Sequence, residues 1–237
     1  MRIEHCGDRA FLIHLGTSPH PALSRRIALL RQRLIEASPA GLDDAIVGFV
    51  TLLVHYDPDI TSADTLAAIA QSLVPGESEP LAGRTWIIPV CYHESVAPDL
   101  EHVARATGAA RDDIVQLHAS HCYTVYLIGF SPGFPYLGDL DARLALPRRP
   151  DPRARVPAGS VAIATRYTAI YPQDTPGGWH LIGRTPLRLF DAAAAAPALL
   201  SIGDQVRFRR ITLDDYGRLC EQVAADAYSP ECIESCT

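Results

Sequence analysis

The sequence contains no lysine: all 21 of its basic residues are arginine. That absence excludes a Schiff-base lysine, a P-loop lysine and a biotin-bearing lysine on this polypeptide. An anion must then be met by arginine, by backbone N–H groups or by a helix N-terminus. Long apolar runs are also missing, and none approaches the length of a membrane span. The opening MRIEHCGDRA has neither an apolar h-region nor a small-residue cleavage site, which predicts no signal peptide and a cytoplasmic location. The six cysteines, at 6, 91, 122, 220, 232 and 236, form no CxxC pair and read as reduced thiols. Cys232 and Cys236 could bind a metal or each other, but a frayed terminus is the simpler reading. Nine histidines without HxH or HExxH spacing give no metal site. Walker and kinase glycine-loop signatures are absent as well, and Ser160 has no neighbouring GxSxG elbow.

What is present is ordinary globular material, 48% hydrophobic and 20% charged, long enough for one large domain or two small ones. The net charge of −6 argues against a nucleic-acid binder that relies on phosphate neutralisation. RIEHCG and AFLIHLG read as short strands. Leu23, Ile27, Leu30 and Leu34 then recur at helical spacing, and AIVGFV and TLLVHY are strand-like. Thr61 is the expected N-cap of a helix carrying Leu66, Ile69 and Leu73. This order predicts a small α+β unit over 1–78, most simply ferredoxin-like. PGESEPLAGR, 75 to 84, is polar and rich in breakers, so the boundary is placed there.

The second domain, 84–237, begins with the strand TWIIPV. Pro98 is expected in the first turn of a helix carrying Leu100 and Val103, and a second helix carries Ile114 and Leu117. YTVYLIGF reads as a buried strand. SVAIA, WHLIG, LRLF and DQVRFRRI are short strands between Gly/Pro loops, which predicts a β-barrel or sandwich. Thr212 is the expected cap of a last helix, before an irregular acidic tail.

Chemistry concentrates in residues 129–186, which hold nine of the nineteen prolines and seven of the sixteen glycines. Seven arginines (143, 148, 149, 153, 155, 166, 184) meet four aspartates (139, 141, 151, 174) there, so the segment is +3 within a chain of −6. A positive field on stiff backbone suits a carboxylate or phosphate; the plainer alternative is loop arginines paired with nearby acids. Arg148 and Arg149 stand between prolines in ALPRRPDPRARVPAGS, and Arg184 follows Gly183. VPAGS places Gly159 and Ser160 where backbone N–H groups could face an oxyanion. His118 ends a predicted helix, where capping or packing is commoner than catalysis. Tyr171 and Trp179, in YPQDTPGGWHLIGRTP, read as core or pocket walls.

GFSPGFPYLGDL, PRRPDPRARVPAGSVAIA and YPQDTPGGWHLIGRTP together resemble the signature blocks of the family of 5-oxoprolinase B-type subunits. That family is also called allophanate hydrolase subunit 1 and includes a sporulation histidine-kinase inhibitor. GDRAFLIHLG and the LH ahead of YTVYLIGF extend the resemblance nearly end to end. It implies a small N-terminal α+β domain followed by a cyclophilin-like β-barrel. It also implies a protein that works with a homologous C-type subunit and a separate A-type subunit to cleave 5-oxoproline to glutamate with ATP. ATP and Mg would be shared with those partners, since this chain carries no complete ATP site. The alternatives are a regulator docking on a histidine kinase, and a carboxyltransferase component of a urea or allophanate pathway acting on biotin carried elsewhere. The matching positions are Pro132, Gly133, Tyr136, Arg148, Arg149, Pro157, Gly159, Ser160, Tyr171, Gly177, Gly178, Trp179, Gly183 and Arg184. From these, Arg148, Arg149 and Arg184, with His118, are the candidate catalytic residues. Tyr136, Gly159, Ser160, Tyr171, Gly177, Gly178 and Trp179 are the candidate substrate-binding ones. This chain departs from the family where Thr165, Tyr167 and Ala169 replace a usual Gly, Gln and Gly, and where Asp139 stands for a common glycine.

Overall fold

A computed structural model describes residues 1–76 and 83–234. The chain divides into two compact units, 1–82 and 83–237. Most of the expected linker, residues 77–82, lies outside the described residues, as does Cys236.

In the first unit, strands β1 (Arg2–His5) and β2 (Ala10–His14) precede helix α1 (Pro21–Ala37). Strands β3 (Leu42–Val47) and β4 (Thr51–Tyr56) follow, then helix α2 (Ala63–Leu73). The sheet runs β1–β2–β4–β3, with every pairing antiparallel. β4 therefore lies between β2 and β3, the split β–α–β arrangement of ferredoxin-like units. The edge strand beside β2 comes from the start of the chain instead of from a strand after α2. Leu23, Ile27, Leu30 and Leu34 are buried on one stripe of α1, as their spacing requires. The cap of α2 is Ser62, one residue past the expected Thr61. Ser62 Oγ accepts from the Thr65 N–H, while the Thr61 N–H is committed to the carbonyl of Asp57.

The second unit opens with β5 (Arg84–Cys91), α3 (Leu100–Thr107), α4 (Arg111–Ser120), β6 (Cys122–Ile128) and β7 (Pro135–Gly138). A 3-10 turn (Ala142–Leu144) leads to β8 (Arg153–Val156), β9 (Ser160–Ala164), β10 (Tyr167–Ile170), β11 (Thr175–Gly177) and β12 (His180–Arg184). The unit ends with β13 (Gln205–Ile211), α5 (Leu213–Ala224) and β14 (Glu231–Glu234). Seven strands form a ring, β12–β9–β10–β7–β6–β13–β5, closed where Arg184 of β12 pairs with Cys91 of β5. β13 runs parallel to β5, and β14 adds to the other edge of β5 at residues 84–87. β8 and β11 pair separately.

Three expectations change at this level. Pro98 precedes the N-cap Asp99 and lies outside α3, which starts at Leu100. LRLF is no strand: only Phe190 makes an isolated bridge, to Ala198. The tail expected to be irregular contributes β14. Thr212 caps α5 as expected, its Oγ1 accepting from the Asp215 N–H.

Alternation along the strands sorts their side chains onto two faces. Val90, Tyr123, Val125, Leu137, Val161, Ile163, Ile170, Ile182, Val206 and Phe208 form the interior with Leu100, Val103, Ile114 and Val115 from α3 and α4. The alternate residues of β7, β9, β10 and β12 form a second cluster on the outside of the ring.

Candidate functional site

That outer cluster is built on small residues. Ala162 and Ala164 of β9 and Ala169 of β10 make its floor. Phe134, Tyr171, Trp179 and Leu181 pack over it, with Tyr136 and Tyr167 at its margin. The rings meet edge to face: Phe134 lies 5.1 Å from Tyr136, 5.1 Å from Tyr171 and 6.0 Å from Trp179. Such contacts add to area burial and hold each ring in one orientation. Gly177 is required here because a Cβ would stand 2.3 Å from the Tyr171 hydroxyl. Burial pushes the Tyr171 phenol up to about 12, against the pull of the Trp179 N–H and Arg148. Burial likewise raises Tyr136, and Arg148 again opposes it.

Arg148 lies over this cluster, its guanidinium carbon 5.9 Å from the centre of the Trp179 ring. The residues around it are anchored. The Arg149 N–H donates to the Gly178 carbonyl at 2.8 Å, and His180 Nε2 donates to the Pro147 carbonyl at 2.9 Å. Among the described residues no carboxylate pairs with Arg148. It is thus a cation held above an aromatic face by a loop pinned on both sides, with donors left for an incoming anion.

Arg149 serves differently. Its Nη1 donates to Asp99 Oδ1 at 3.2 Å, and Arg153 binds both oxygens of the same carboxylate at 2.7 and 2.9 Å. Asp99, only 3% exposed, also accepts from the Leu181 N–H at 2.7 Å. This is a clamp joining the start of α3, the 147–153 loop and β12. Asp99 is not among the residues that the sequence singles out. A lone aspartate at a helix start, fifty residues before its arginines, carries no local signal of that role.

The other candidates lie elsewhere. Arg184 donates through Nε to the Ala158 carbonyl at 2.9 Å, in a separate cleft of about 290 Å3 that includes Gly159, Tyr216 and Cys220. The VPAGS backbone is already engaged: Ala158 N–H donates to Asp174, Gly159 N–H to the Tyr171 carbonyl and Ser160 N–H to the Pro157 carbonyl. These amides are therefore not free for an oxyanion, which corrects the sequence reading. Gly159 at φ +79° lies where an added Cβ would stand 2.3 Å from the Thr185 carbonyl oxygen, so the turn needs glycine. Ser160 is 2% exposed.

His118 is inside the barrel and fully buried. Thr168 Oγ1 donates to the Ala162 carbonyl at 3.1 Å, so its oxygen accepts from His118 Nε2–H at 2.8 Å. Nδ1 then accepts the Tyr92 hydroxyl proton at 2.8 Å. The ring stacks on Phe208 at 4.5 Å. Burial lowers its pKa to about 3, so it stays neutral. The structure places His118 as a packed, hydrogen-bonded interior residue, apart from the outer cluster under Arg148.

The departures noted in sequence have a backbone signature. Thr165 has φ +53° and Asp139 φ +67°, both in the region glycine enters freely. Asp139 accepts the Tyr126 hydroxyl at 2.7 Å, and Tyr167 stands edge-on to Tyr136 at 6.3 Å. The substitutions thus rebuild one rim of the outer cluster with tyrosine and aspartate.

A small split β–α–β unit followed by a closed mixed barrel defines the class of architecture. The family described as carboxyltransferase domain, subdomain C and D, matches residues 1–200, and the chain belongs to it. The B-type subunit of 5-oxoprolinase from Bacillus subtilis (strain 168) is 37% identical over 233 residues, covering 91% of this chain and 95% of that one. The crystallised protein TTHA0988 is 38% identical with a TM-score of 0.78 over 86% of this chain, which spans only 40% of that longer one. The Kluyveromyces lactis urea carboxylase structure shares the fold, with a TM-score of 0.81 at 21% identity over 98% of this chain and 24% of that one. Among the described residues no helix is long and apolar enough to cross a membrane.

Proposed function

We propose that the chain is the B-type component of a 5-oxoprolinase, opening the lactam of 5-oxoproline to glutamate at the expense of ATP together with A-type and C-type partners. The observation that carries this reading is the 37% identity to the Bacillus subtilis protein along 91% of the chain. A lactam is a poor electrophile, so its opening needs an activated intermediate and electrostatic stabilisation of the charge that develops. Arg148 is the residue here with that capacity, being preset over Trp179 and unpaired with any described carboxylate. It would receive the substrate carboxylate or a phosphorylated oxygen, while Tyr136, Tyr171 and Trp179 wall the site. Arg149 acts through its bond to Asp99, positioning the loop that carries Arg148. ATP and Mg would be shared with the partners, since this chain carries no complete ATP site.

The test is 5-oxoproline-dependent ATP hydrolysis by the three purified components, omitting each in turn. Turnover should vanish without this chain, and Arg148→Gln should lower kcat/KM by about a hundredfold, the scale of losing one transition-state donor. Full turnover without this chain would end the assignment. Unchanged kinetics in Arg148→Gln would remove Arg148 from the site.

A further inference from the structure

A cleft of about 550 Å3 opens at the carboxyl ends of β5 and β13, away from the Arg148 loop in the chain and sharing no residue with its cluster. His93, Arg111 and Arg210 line it, with Cys91, Ile211 and Leu213 as the less polar walls. His93 Nδ1 accepts from the Ser95 N–H at 3.3 Å and lies 2.9 Å from Ser95 Oγ. With Nδ1 committed as an acceptor, the neutral ring carries its proton on Nε2 and keeps a donor. Arg111 meets Glu94 at only 3.7 Å, and Arg210 meets Asp112 at 3.0 Å. All four of these side chains are at least 41% exposed, so both pairs are weak and leave most guanidinium donors unused. Asp215, the acid on the cleft wall, is held by Arg218 at 2.6 Å and by Thr212 Oγ1 at 2.8 Å. The first turn of α4, which supplies Arg111, has no side-chain cap on its N–H groups.

We propose that this cleft binds a phosphoryl group carried on a small organic molecule. Two guanidinium forks and an imidazole N–H, arriving from three different elements, suit a tetrahedral oxyanion better than a planar carboxylate. The volume falls within the range of small-molecule sites, and the apolar wall formed by Ile211 and Leu213 gives the organic part a surface. The inference does not rest on the oxoprolinase reading.

Calorimetric titration of the purified chain at low salt with adenosine monophosphate, inorganic phosphate and acetate tests it. Adenosine monophosphate should bind more tightly than inorganic phosphate, and acetate more weakly than either. Arg111→Gln and Arg210→Gln should each weaken phosphate-ester binding about tenfold, the scale of one charge-assisted contact. Arg209→Gln, whose side chain pairs with Glu231 outside the cleft, should change nothing. The three arginines are 41%, 60% and 49% exposed, so the variants should fold, and thermal melts check that they do. Absent binding, equal loss in Arg209→Gln, or no loss in either cleft variant overturns the site. Acetate binding as tightly as the ester overturns the phosphoryl preference, and inorganic phosphate binding as tightly overturns the organic one.

Discussion

Replacing Asp99 with asparagine should destabilise the barrel unit measurably, and the structure sets the scale. Asp99 receives three guanidinium hydrogen bonds, at 3.2, 2.9 and 2.7 Å, and one backbone bond at 2.7 Å, at 3% exposure. Breaking a fully buried pair costs about 3–5 kcal/mol because the remaining charge is stranded. Arg149 and Arg153 are 29% and 25% exposed, so water would recover part of that loss. The Leu181 N–H would keep its bond to the amide oxygen. We expect a net loss of about 2–4 kcal/mol, or a Tm drop of about 5–15 °C for a unit of this size. Urea unfolding followed by far-UV circular dichroism gives the free energy, and a double-mutant cycle with Arg153→Gln isolates the pair. The coupling should be about 1–3 kcal/mol. Releasing Arg149 should also free the loop carrying Arg148 and shift Trp179 emission. A loss below about 1 kcal/mol with additive single variants would show that Asp99 is no clamp, whatever its distances.

Three further outcomes are expected. His118 titrates near pH 3 when folded against about 6.5 unfolded, so the unfolded chain binds more protons between those values and stability falls as pH drops through them. From pH 6.5 to 5 the loss should be about 2 kcal/mol, at 1.36 kcal/mol per unit, and denaturant midpoints for His118→Gln should be flatter over that window. An equal slope in the variant would assign the effect to other groups. Gly159→Ala drives a methyl into the Thr185 carbonyl at φ +79°, so a loss of more than about 3 kcal/mol, read as a collapsed melting temperature or insoluble expression, is expected. Thr165→Gly relieves a β-branched residue at φ +53° at the cost of a more flexible unfolded chain, so it should stabilise by up to about 1 kcal/mol. A destabilised Thr165→Gly protein would show that the threonine side chain holds the turn.

Local pattern makes much of the architecture legible. The stripe on α1, the buried strands β6 and β9 and the Thr212 cap follow from periodicity and capping chemistry, which act over a few residues. The ring closure does not, because β5 pairs with β12 and β13, strands roughly 90 and 120 residues later. β14 is hidden for the same reason, since ECIE has no strand pattern of its own and is ordered by the open edge of β5. LRLF shows the converse, a strand-like run left without a ladder.

The positive segment is legible as composition but not as a site. Arg143 is committed to Asp141, Arg155 to Asp174, and Arg149 and Arg153 to Asp99, while Arg184 donates to the Ala158 carbonyl. Of Arg148 and Arg166, which remain, Arg148 is the one that stands over the Trp179 ring. Which arginine keeps its donors is decided by tertiary partners, and charge counting cannot see them. In the Gly/Pro run from Tyr171 to Pro186, Tyr171 and Trp179 stand as walls of the outer cluster. The path of the run is set by the Tyr171 hydroxyl against Gly177 and by the bond from Arg149 to Gly178.

The position of β5 also sets an order of assembly. The first strand of the barrel unit finds its longest partner in β13, where Thr85 faces Gln205, so the ring lacks a wall until that distant segment exists. On a ribosome, residues 84–91 would wait with one edge open while more than a hundred residues are added. The first unit has its whole sheet by Tyr56 and both helices by Leu73, and it can be complete long before. Such a chain folds in two stages of unequal length, and the exposed edge of β5 is the place where crowding or delay would do damage.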